Sequence, residues 1–382
     1  MSNIIYPDYN NSILNLITSF LKYYNVETNH KSLKELDEKL EKRYKNVVFI
    51  ILDGMGSHIL ERVSKNGIFE KNKVKTITSV YPSTTTAALT TYYSGKPPYE
   101  TGWIAWSQYF KEYGRALDML SHKESYQNDT LENKRIDVFK DVINYETVFN
   151  KIEKTNPNVD VYEIMPDYSD RKANRSLRAN NIEEICEHIK LICSGNKKET
   201  FTMAYCDNPD GLLHKYGCKS KEVKEMIKNA EKCIEKMRQE LSDDTLIVLS
   251  ADHGHKDINK AYTLLDYPEL QECLIMPPSL ESRALTFWVH QDKKEKFEYL
   301  FKQNFGKEFL LLTKQEFLEK GFLGSGVKHK KIEDFIGDYI AMSISDSIIV
   351  LETYLAEGKK IKESTHCGLT EDEMEVPLII IE

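Results

Sequence analysis

The run of residues 47–52 constrains the fold of this chain more than any other feature. Its sequence, VVFIIL, is continuously apolar and rich in β-branched side chains, and Asp53-Gly54 follows directly. Strands that are buried on both faces of a parallel sheet have this pattern, whereas half-exposed strands alternate apolar and polar residues. Four later runs resemble it, at residues 159–164, 201–205, 245–249 and 377–381.

Helical patterns lie between these runs, most clearly at residues 181–193 and 219–241. Strands that alternate with helices are typical of βαβ units. The sequence therefore predicts an α/β fold with a mostly parallel central sheet covered by helices on both faces. In such folds, ligands bind at the carboxyl ends of the strands.

The chain divides into a predicted core and three additions. The N-terminal segment has apolar residues at helical spacing followed by a charged helical stretch, which predicts a helical brace. Later segments break the strand–helix alternation and predict an insertion and a small α+β cap. The predicted parts are the brace (1–45), the catalytic core (46–262 and 346–382), an insertion in the core (106–155) and the inserted cap (263–345).

Composition narrows the classes of function. The net charge of −8 argues against a protein that binds a nucleic-acid polymer, since such proteins are basic. No apolar run is long enough for a transmembrane helix, and the N-terminus lacks the pattern of a signal peptide. The seven cysteines form no C-x-x-C pair, which is typical of a reducing compartment. We therefore expect a cytoplasmic protein that does not bind membranes.

Two polar clusters directly follow predicted strands. Asp53 ends the first strand, and Gly54 allows the backbone to turn tightly beside a ligand. Asp252 and His253 follow a later strand, where adjacent residues reach one ion only if the chain turns, and Gly254 permits that turn. Each cluster also has an ordinary structural explanation, namely a helix cap or a buried histidine bonded to a carboxylate.

Three further clusters carry residues suited to metal or phosphate chemistry. Asp210 and His214 are four residues apart, so on a helix they share one face and can share a metal ion. Thr85 lies in a threonine cluster ahead of the helical run 87–93, and helix N-termini favour phosphate. His366 lies in a loop before the last strand. Taken singly, each is explained better by an ordinary structural role: a helix-surface pair, a helix N-cap and a surface histidine.

In this order, the five clusters resemble the motifs of the alkaline phosphatase superfamily, and the closest branch is the nucleotide pyrophosphatase/phosphodiesterase-like group. The resemblance covers about residues 46–105, 200–256 and 362–382. It implies two divalent metal ions, zinc in most members, and a serine or threonine nucleophile. Thr85 occupies the position of the nucleophile, with Thr84 and Thr86 as the alternatives if the alignment shifts by one residue.

The resemblance also implies the two ligand sets. One metal would be held by Asp210, His214 and His366. The other would be held by Asp53, Asp252, His253 and the Thr85 oxygen. Three aspartates and three histidines suit zinc best, with manganese as the alternative. His255 is expected to support the ligands rather than to bind the metal.

The chain departs from the family pattern near the predicted nucleophile. Ala87-Ala88 stands where the diesterase branch often has Pro-Asn, and residues 102–106 lack the asparagine that bonds the phosphoryl oxygen in that branch. The sulfatase motif C/S-x-P-x-R is also missing from the sequence. Arg283 and Lys328 from the predicted cap are candidates for additional positive charge at the site.

The predicted function is a two-metal phosphoester hydrolase acting on a small phosphate ester or nucleotide-like substrate. Three carboxylates and two divalent cations leave a formal charge of +1, or zero once Thr85 is ionised, which favours diesters and pyrophosphate linkages. We therefore expect a phosphodiesterase/nucleotide pyrophosphatase with a phospho-threonine intermediate. The alternatives are a phosphomonoesterase, a phosphonate (C–P) hydrolase, a phosphomutase and a metal-binding protein without turnover.

Overall fold

The computed structural model describes residues 3–120, 123–125, 138–350 and 360–382. Parts of the predicted segments 1–45, 106–155 and 346–382 lie outside these residues. The strands are β1 Asn46–Leu52, β2 Lys73–Thr78, β3 Ser107–Phe110, β4 Arg115–Asp118, β5 Lys123–Glu124, β6 Val159–Met165, β7 Arg175–Arg178, β8 Glu199–Cys206, β9 Thr245–Ser250, β10 Lys256–Asp257, β11 Lys260–Thr263, β12 Ser279–Glu281, β13 Ala284–Phe287, β14 Phe309–Thr313, β15 Tyr339–Ser343, β16 Ser347–Val350, β17 Ser364–Thr365 and β18 Glu375–Ile381.

The helices alternate with these strands through most of the core. They are α1 Ile13–Tyr23, α2 Lys34–Leu40, α3 Ser57–Val63, α4 Ile68–Asn72, α5 Thr85–Ser94, α6 Pro98–Thr101, α7 Val138–Asp141, α8 Val148–Thr155, α9 Ile182–Gly195, α10 Asp210–Tyr216, α11 Lys221–Glu240, α12 Pro268–Gln271, α13 Lys294–Phe305, α14 Lys314–Glu319, α15 Ile332–Phe335 and α16 Glu371–Met374. Short 3-10 helices occur at Leu264–Asp266 and Gln291–Lys293. No described helix is long and apolar enough to cross a membrane.

The central sheet has the strand order β2-β18-β9-β1-β8-β6-β7. Strand β1 is parallel to both β8 and β9, and β6 is parallel to both β8 and β7. All five apolar runs predicted from the sequence are strands of this sheet. Strand β18 differs from the others because it is antiparallel to β9 and β2. An apolar run indicates burial on both faces and carries no information about strand direction.

Helices cover both faces of the central sheet. Every residue of β1 and β9 is buried, which requires cover on each side of the sheet. The helices fall into two sets, and helices contact one another within each set. One set is α1, α2, α5 and α8, and the other is α3, α4, α9, α10 and α11. The predicted α/β class, with a mostly parallel sheet between helices, is confirmed.

A second sheet combines strands from two distant segments of the chain. Its order is β14-β15-β13-β12-β3-β4-β5, and its strand pairs are antiparallel. Strands β3 to β5 come from the predicted insertion, whereas β12 to β15 come from the predicted cap. The two segments therefore share a sheet, while the predicted domain boundaries themselves stay predictions.

A buried ion pair joins this second sheet to the loop that carries His366. Arg283, in the turn between β12 and β13, is fully buried, and so is Glu373 of α16. The guanidinium bonds both carboxylate oxygens of Glu373 at 2.6 Å and also donates to the backbone oxygens of Ser345 and Ser347. Glu373 in turn accepts a hydrogen bond from the backbone of Gly368. Arg283 is thus a bidentate clamp between the second sheet and the segment that follows His366.

We predict that breaking this pair on one side costs more stability than removing it altogether. Arg283→Met leaves a buried, unpaired carboxylate and should lower the free energy of unfolding by about 3–5 kcal/mol. The double variant Arg283→Met/Glu373→Leu should recover part of that loss, because no charge stays buried. Urea denaturation measures both values. Lys34→Met, which breaks the exposed Lys34–Glu38 pair, is the control and should change little. An Arg283→Met protein as stable as the control would contradict the clamp.

Candidate metal centre

Asp53 lies where the central strand β1 ends. Its backbone N–H donates to the Cys206 carbonyl, which continues the β1–β8 ladder by one residue, and only 2% of its surface is exposed. Its Oδ2 accepts a short hydrogen bond from the Tyr205 hydroxyl. Gly54 has a φ of +76°, and a Cβ there would lie 3.0 Å from the His255 ring. Glycine is therefore required for the turn that brings these residues together.

Asp252 and His253 follow the adjacent strand β9 and meet Asp53. Asp252 Oδ1 accepts hydrogen bonds from the backbone N–H groups of Gly54 and His253. His253 Nε2 lies 3.4 Å from Asp53 Oδ1 and 3.4 Å from Asp252 Oδ2. These three side chains form what we call the Asp53 cluster. Their ligand atoms lie within 4.8 Å of one another, which is close enough to share a metal ion.

Two buried carboxylate oxygens of the Asp53 cluster show whether these residues suit a metal ion. Asp53 Oδ1 and Asp252 Oδ2 are buried and have no hydrogen-bond partner among the described residues. A buried oxygen that lacks a partner costs free energy, and an unpaired carboxylate costs more. Both oxygens face the same imidazole nitrogen, so a divalent cation at that point would satisfy them. The residues therefore fit a metal ion.

Thr85 is the first residue of α5 and contacts the Asp53 cluster. Its Oγ1 lies 3.4 Å from Asp53 Oδ2 and 3.2 Å from His253 Nε2. The neighbouring threonines are oriented differently: the Thr84 hydroxyl donates to Glu281, and the Thr86 hydroxyl is buried and has no partner among the described residues. Of the three candidate nucleophiles, the geometry favours Thr85.

Asp210 organises a second group of ligand atoms, which we call the Asp210 cluster. It comprises Asp210 and His214 of α10, His255 and His366. The ligand atoms of Asp210, His255 and His366 lie within 4.8 Å of one another and of His253, whereas His214 joins this group through its contact with Asp210. The Asp210 Oδ1 atom lies 2.6 Å from His255 Nε2, 3.4 Å from His214 Nε2 and 3.8 Å from His366 Nε2. The His366 ring stacks on that of His253, with 3.9 Å between centroids, so the two clusters are adjacent. All seven residues predicted from the sequence thus lie at one site.

Burial sets the protonation of the Asp210 cluster. It lowers the pKa of His214 to about 4 and that of His255 to about 3, and it lowers the pKa of His366 well below its ordinary value. All three imidazoles are therefore neutral near pH 7, which is the form that binds metal ions. Burial also raises the pKa of Asp53, and the charges of Asp252 and Asp210 raise it further. A bound divalent cation would oppose this effect by stabilising the ionised carboxylates.

His255 has a closer contact with Asp210 than any other histidine of the cluster. Its second ring nitrogen, Nδ1, lies 3.1 Å from the Ser364 hydroxyl. The imidazole therefore bridges a predicted metal ligand and the strand β17, which holds the loop of His366. This geometry agrees with the supporting role expected from the sequence, and the ligand atoms also permit direct coordination.

The two cap residues expected to bring charge into the site do not contact it. Arg283 is held by Glu373, and Lys328 forms an exposed pair with Glu333. The sequence reasoning missed a different cation, Lys362, whose Nζ lies 3.0 Å from His214 Nε2. It also missed Tyr205. That residue lies near the end of β8, which pairs in parallel with β1, so the expected pairing of these two strands could have placed it beside Asp53.

Comparisons with known proteins agree with this fold. Residues 47–308 match the sequence profile of the family described as type I phosphodiesterase / nucleotide pyrophosphatase. Murine ectonucleotide pyrophosphatase/phosphodiesterase 5 is 15% identical, with a TM-score of 0.63 and 87% of each chain covered. An inactive threonine-to-alanine variant of that protein, in complex with AMP, is also 15% identical, with a TM-score of 0.61 over 88% of this chain and 87% of that chain.

A bacterial enzyme of the same fold has a different activity. Phosphonoacetate hydrolase from Sinorhizobium meliloti 1021, in complex with phosphonoacetate, is 14% identical, with a TM-score of 0.64 over 87% of this chain and 89% of that chain.

A search of curated protein sequences finds no significant match. At such low identities the solved structures show the fold, whereas the family rests on the sequence profile, which spans more than half of the chain. The resemblance inferred from the motifs is confirmed, and the chain belongs to the type I phosphodiesterase / nucleotide pyrophosphatase family of the alkaline phosphatase superfamily.

Proposed function

We propose that this protein is a two-metal phosphodiesterase/nucleotide pyrophosphatase that acts through a covalent phosphoryl group on Thr85. The observation that carries the proposal is the contact of the Thr85 hydroxyl with Asp53 and His253, beside the Asp210 cluster. The family supports a phosphoester hydrolase. The inactive threonine-to-alanine variant of the murine relative, in complex with AMP, supports a threonine that is needed for turnover and a nucleotide-like substrate.

Each cluster would hold one of two divalent cations. Asp53, Asp252, His253 and the Thr85 oxygen would hold one ion, and Asp210, His214 and His366 would hold the other. The mixed oxygen and nitrogen ligands favour zinc, with manganese as the alternative. Bound there, the cations would lower the pKa of the Thr85 hydroxyl and neutralise charge on the phosphoryl group.

The residues around Thr85 would bind the phosphoryl group and carry out two successive displacements. Thr85 lies at the start of a helix, where the first-turn N–H groups lack intrahelical acceptors and can bind phosphoryl oxygens in place of the missing asparagine. The Thr85 oxygen attacks phosphorus in line and the leaving oxygen departs on the opposite side. Water then attacks from that vacated side and releases the phosphoryl group. Tyr205 holds Asp53 in place throughout.

A second candidate is a phosphonate hydrolase on the same site. The likeness to phosphonoacetate hydrolase favours it, because that enzyme acts on a phosphonate with the same fold. Bis-p-nitrophenyl phosphate, p-nitrophenyl phosphate and phosphonoacetate separate a diesterase, a monoesterase and a phosphonate hydrolase. We expect the diester to have the highest kcat/KM of the three. Lack of turnover on a broad panel by a metal-loaded sample would instead favour a binding protein.

Replacing the Thr85 hydroxyl should abolish turnover without unfolding the protein. Thr85→Val keeps the size and branching of the side chain, so metal content and thermal stability should stay near those of the wild type. We expect kcat to fall at least about 1000-fold, since the nucleophile is lost. Thr86→Val, the matched control one residue away, removes a hydroxyl that has no partner among the described residues and should keep most of the activity. Activity that survives in Thr85→Val with metals bound would exclude Thr85 as the nucleophile.

Metal analysis tests the two clusters separately. We predict two ions per chain in the wild type and about one in either Asp252→Asn or Asp210→Asn, because each change removes a carboxylate from one cluster. Chelation should lower the melting temperature, since the folded state alone has the assembled site. Asp243→Asn, at an exposed position, is the control for each measurement. Elemental analysis and thermal unfolding give the two readouts. Unchanged metal content in both cluster variants would contradict the assignment.

A further inference from the structure

We propose that Lys362 binds an anionic leaving group and thereby favours substrates with phosphoanhydride linkages over simple esters. The proposal rests on the proposed function and adds a specificity-determining residue to it. Lys362 lies four positions before His366 in the chain, and its Nζ is 3.0 Å from His214 Nε2. It therefore contacts the Asp210 cluster, whereas Thr85 contacts the Asp53 cluster.

The position of Lys362 is fixed by the backbone although its side chain is exposed. The N–H of Glu363 donates to the His214 carbonyl at 2.9 Å, and the Ser364 hydroxyl donates to the Leu213 carbonyl at 2.7 Å. The Glu363 carbonyl accepts from Ile258. These bonds attach the segment to the end of α10, so the lysine stem starts from a defined point beside the site.

Within the described part of the chain, no carboxylate oxygen lies within 4.0 Å of the Lys362 ammonium, although burial raises the pKa of Glu281 and the Lys362 charge acts at longer range to lower it. Its contact with His214 uses Nε2, the nitrogen that would bind a metal ion. One lone pair cannot bind a metal ion and accept a hydrogen bond, so metal binding would break this contact. When a metal ion is bound, the exposed ammonium is released from His214 and can contact another group within reach of its stem. An anionic group on the substrate beside the Asp210 cluster is such a partner.

Charge and reaction geometry place that anionic group on the leaving side. An in-line displacement expels the leaving oxygen away from the nucleophile, hence away from Thr85 and towards the cluster that Lys362 contacts. With three carboxylates, two divalent cations and an ionised Thr85, the site is formally neutral. A pyrophosphate leaving group carries several negative charges, so one more cation on that side would stabilise it, whereas a p-nitrophenolate gains less from it.

The test compares two substrates from which the enzyme would remove a nucleotidyl group and which differ in the charge of the leaving group. They are the p-nitrophenyl ester of thymidine 5′-monophosphate and ATP, assayed with metal-loaded wild type and Lys362→Met. We expect the ratio of kcat/KM for ATP to that for the ester to fall about tenfold, the loss typical of one charge-assisted hydrogen bond. Lys362→Arg should restore most of the ratio. Lys360→Met, an exposed lysine two residues away, is the control and should leave the ratio unchanged.

Pyrophosphate binding provides a readout that does not depend on turnover. Calorimetry should give a Kd for pyrophosphate about tenfold weaker in metal-loaded Lys362→Met than in the wild type, with equal metal content. If the wild type hydrolyses neither substrate, the proposed function fails, and pyrophosphate binding still decides the role of Lys362. An unchanged substrate ratio together with an unchanged pyrophosphate Kd would overturn the proposal.

Discussion

Three carboxylates that converge at one edge of the central sheet are the constraint on which the rest of the site depends: Asp53 and Asp252 directly follow buried strands, and Asp210 begins the helix after β8. Burial raises the pKa of Asp53, the charges of Asp252 and Asp210 raise it further, and one oxygen each of Asp53 and Asp252 is buried and has no hydrogen-bond partner among the described residues. An arrangement of this kind costs free energy unless a cation compensates it. The neutral imidazoles around Asp210 add ligands without adding charge. The cluster is therefore understandable as a cation site and hard to explain as part of an ordinary core.

Strand order explains how residues from distant parts of the sequence reach this site. Strand β1 lies between β9 and β8 in the sheet, so Asp53 lies beside both Asp252, which follows β9, and the loop that leads from β8 into α10. The loop of His366 is held from the other side by the pair Arg283–Glu373. The second sheet thus contributes to the site because Arg283 and Glu373 hold the loop that carries His366 in place.

Much of the site could be predicted from the sequence because the evidence for it is local. An apolar run followed by Asp-Gly or Asp-His-Gly shows both the strand and the ligand at its end, and the spacing of Asp210 and His214 shows a shared helix face. Other features depend on distant contacts. The burial of Arg283 requires Glu373, ninety positions away, and the pairing of β3 with β12 joins segments with no shared pattern. Lys362 was missed because nothing in its neighbours distinguishes it from a surface lysine.

The stereochemical outcome at phosphorus tests the central claim most directly. A nucleotide phosphorothioate diester that is chiral at phosphorus can be hydrolysed in ¹⁸O-labelled water and its product configuration determined by NMR. Attack by Thr85 followed by attack of water gives two in-line displacements, so the account predicts net retention of configuration. Inversion would show a single displacement by water, and it would contradict the covalent role of Thr85 even if both metal sites were filled.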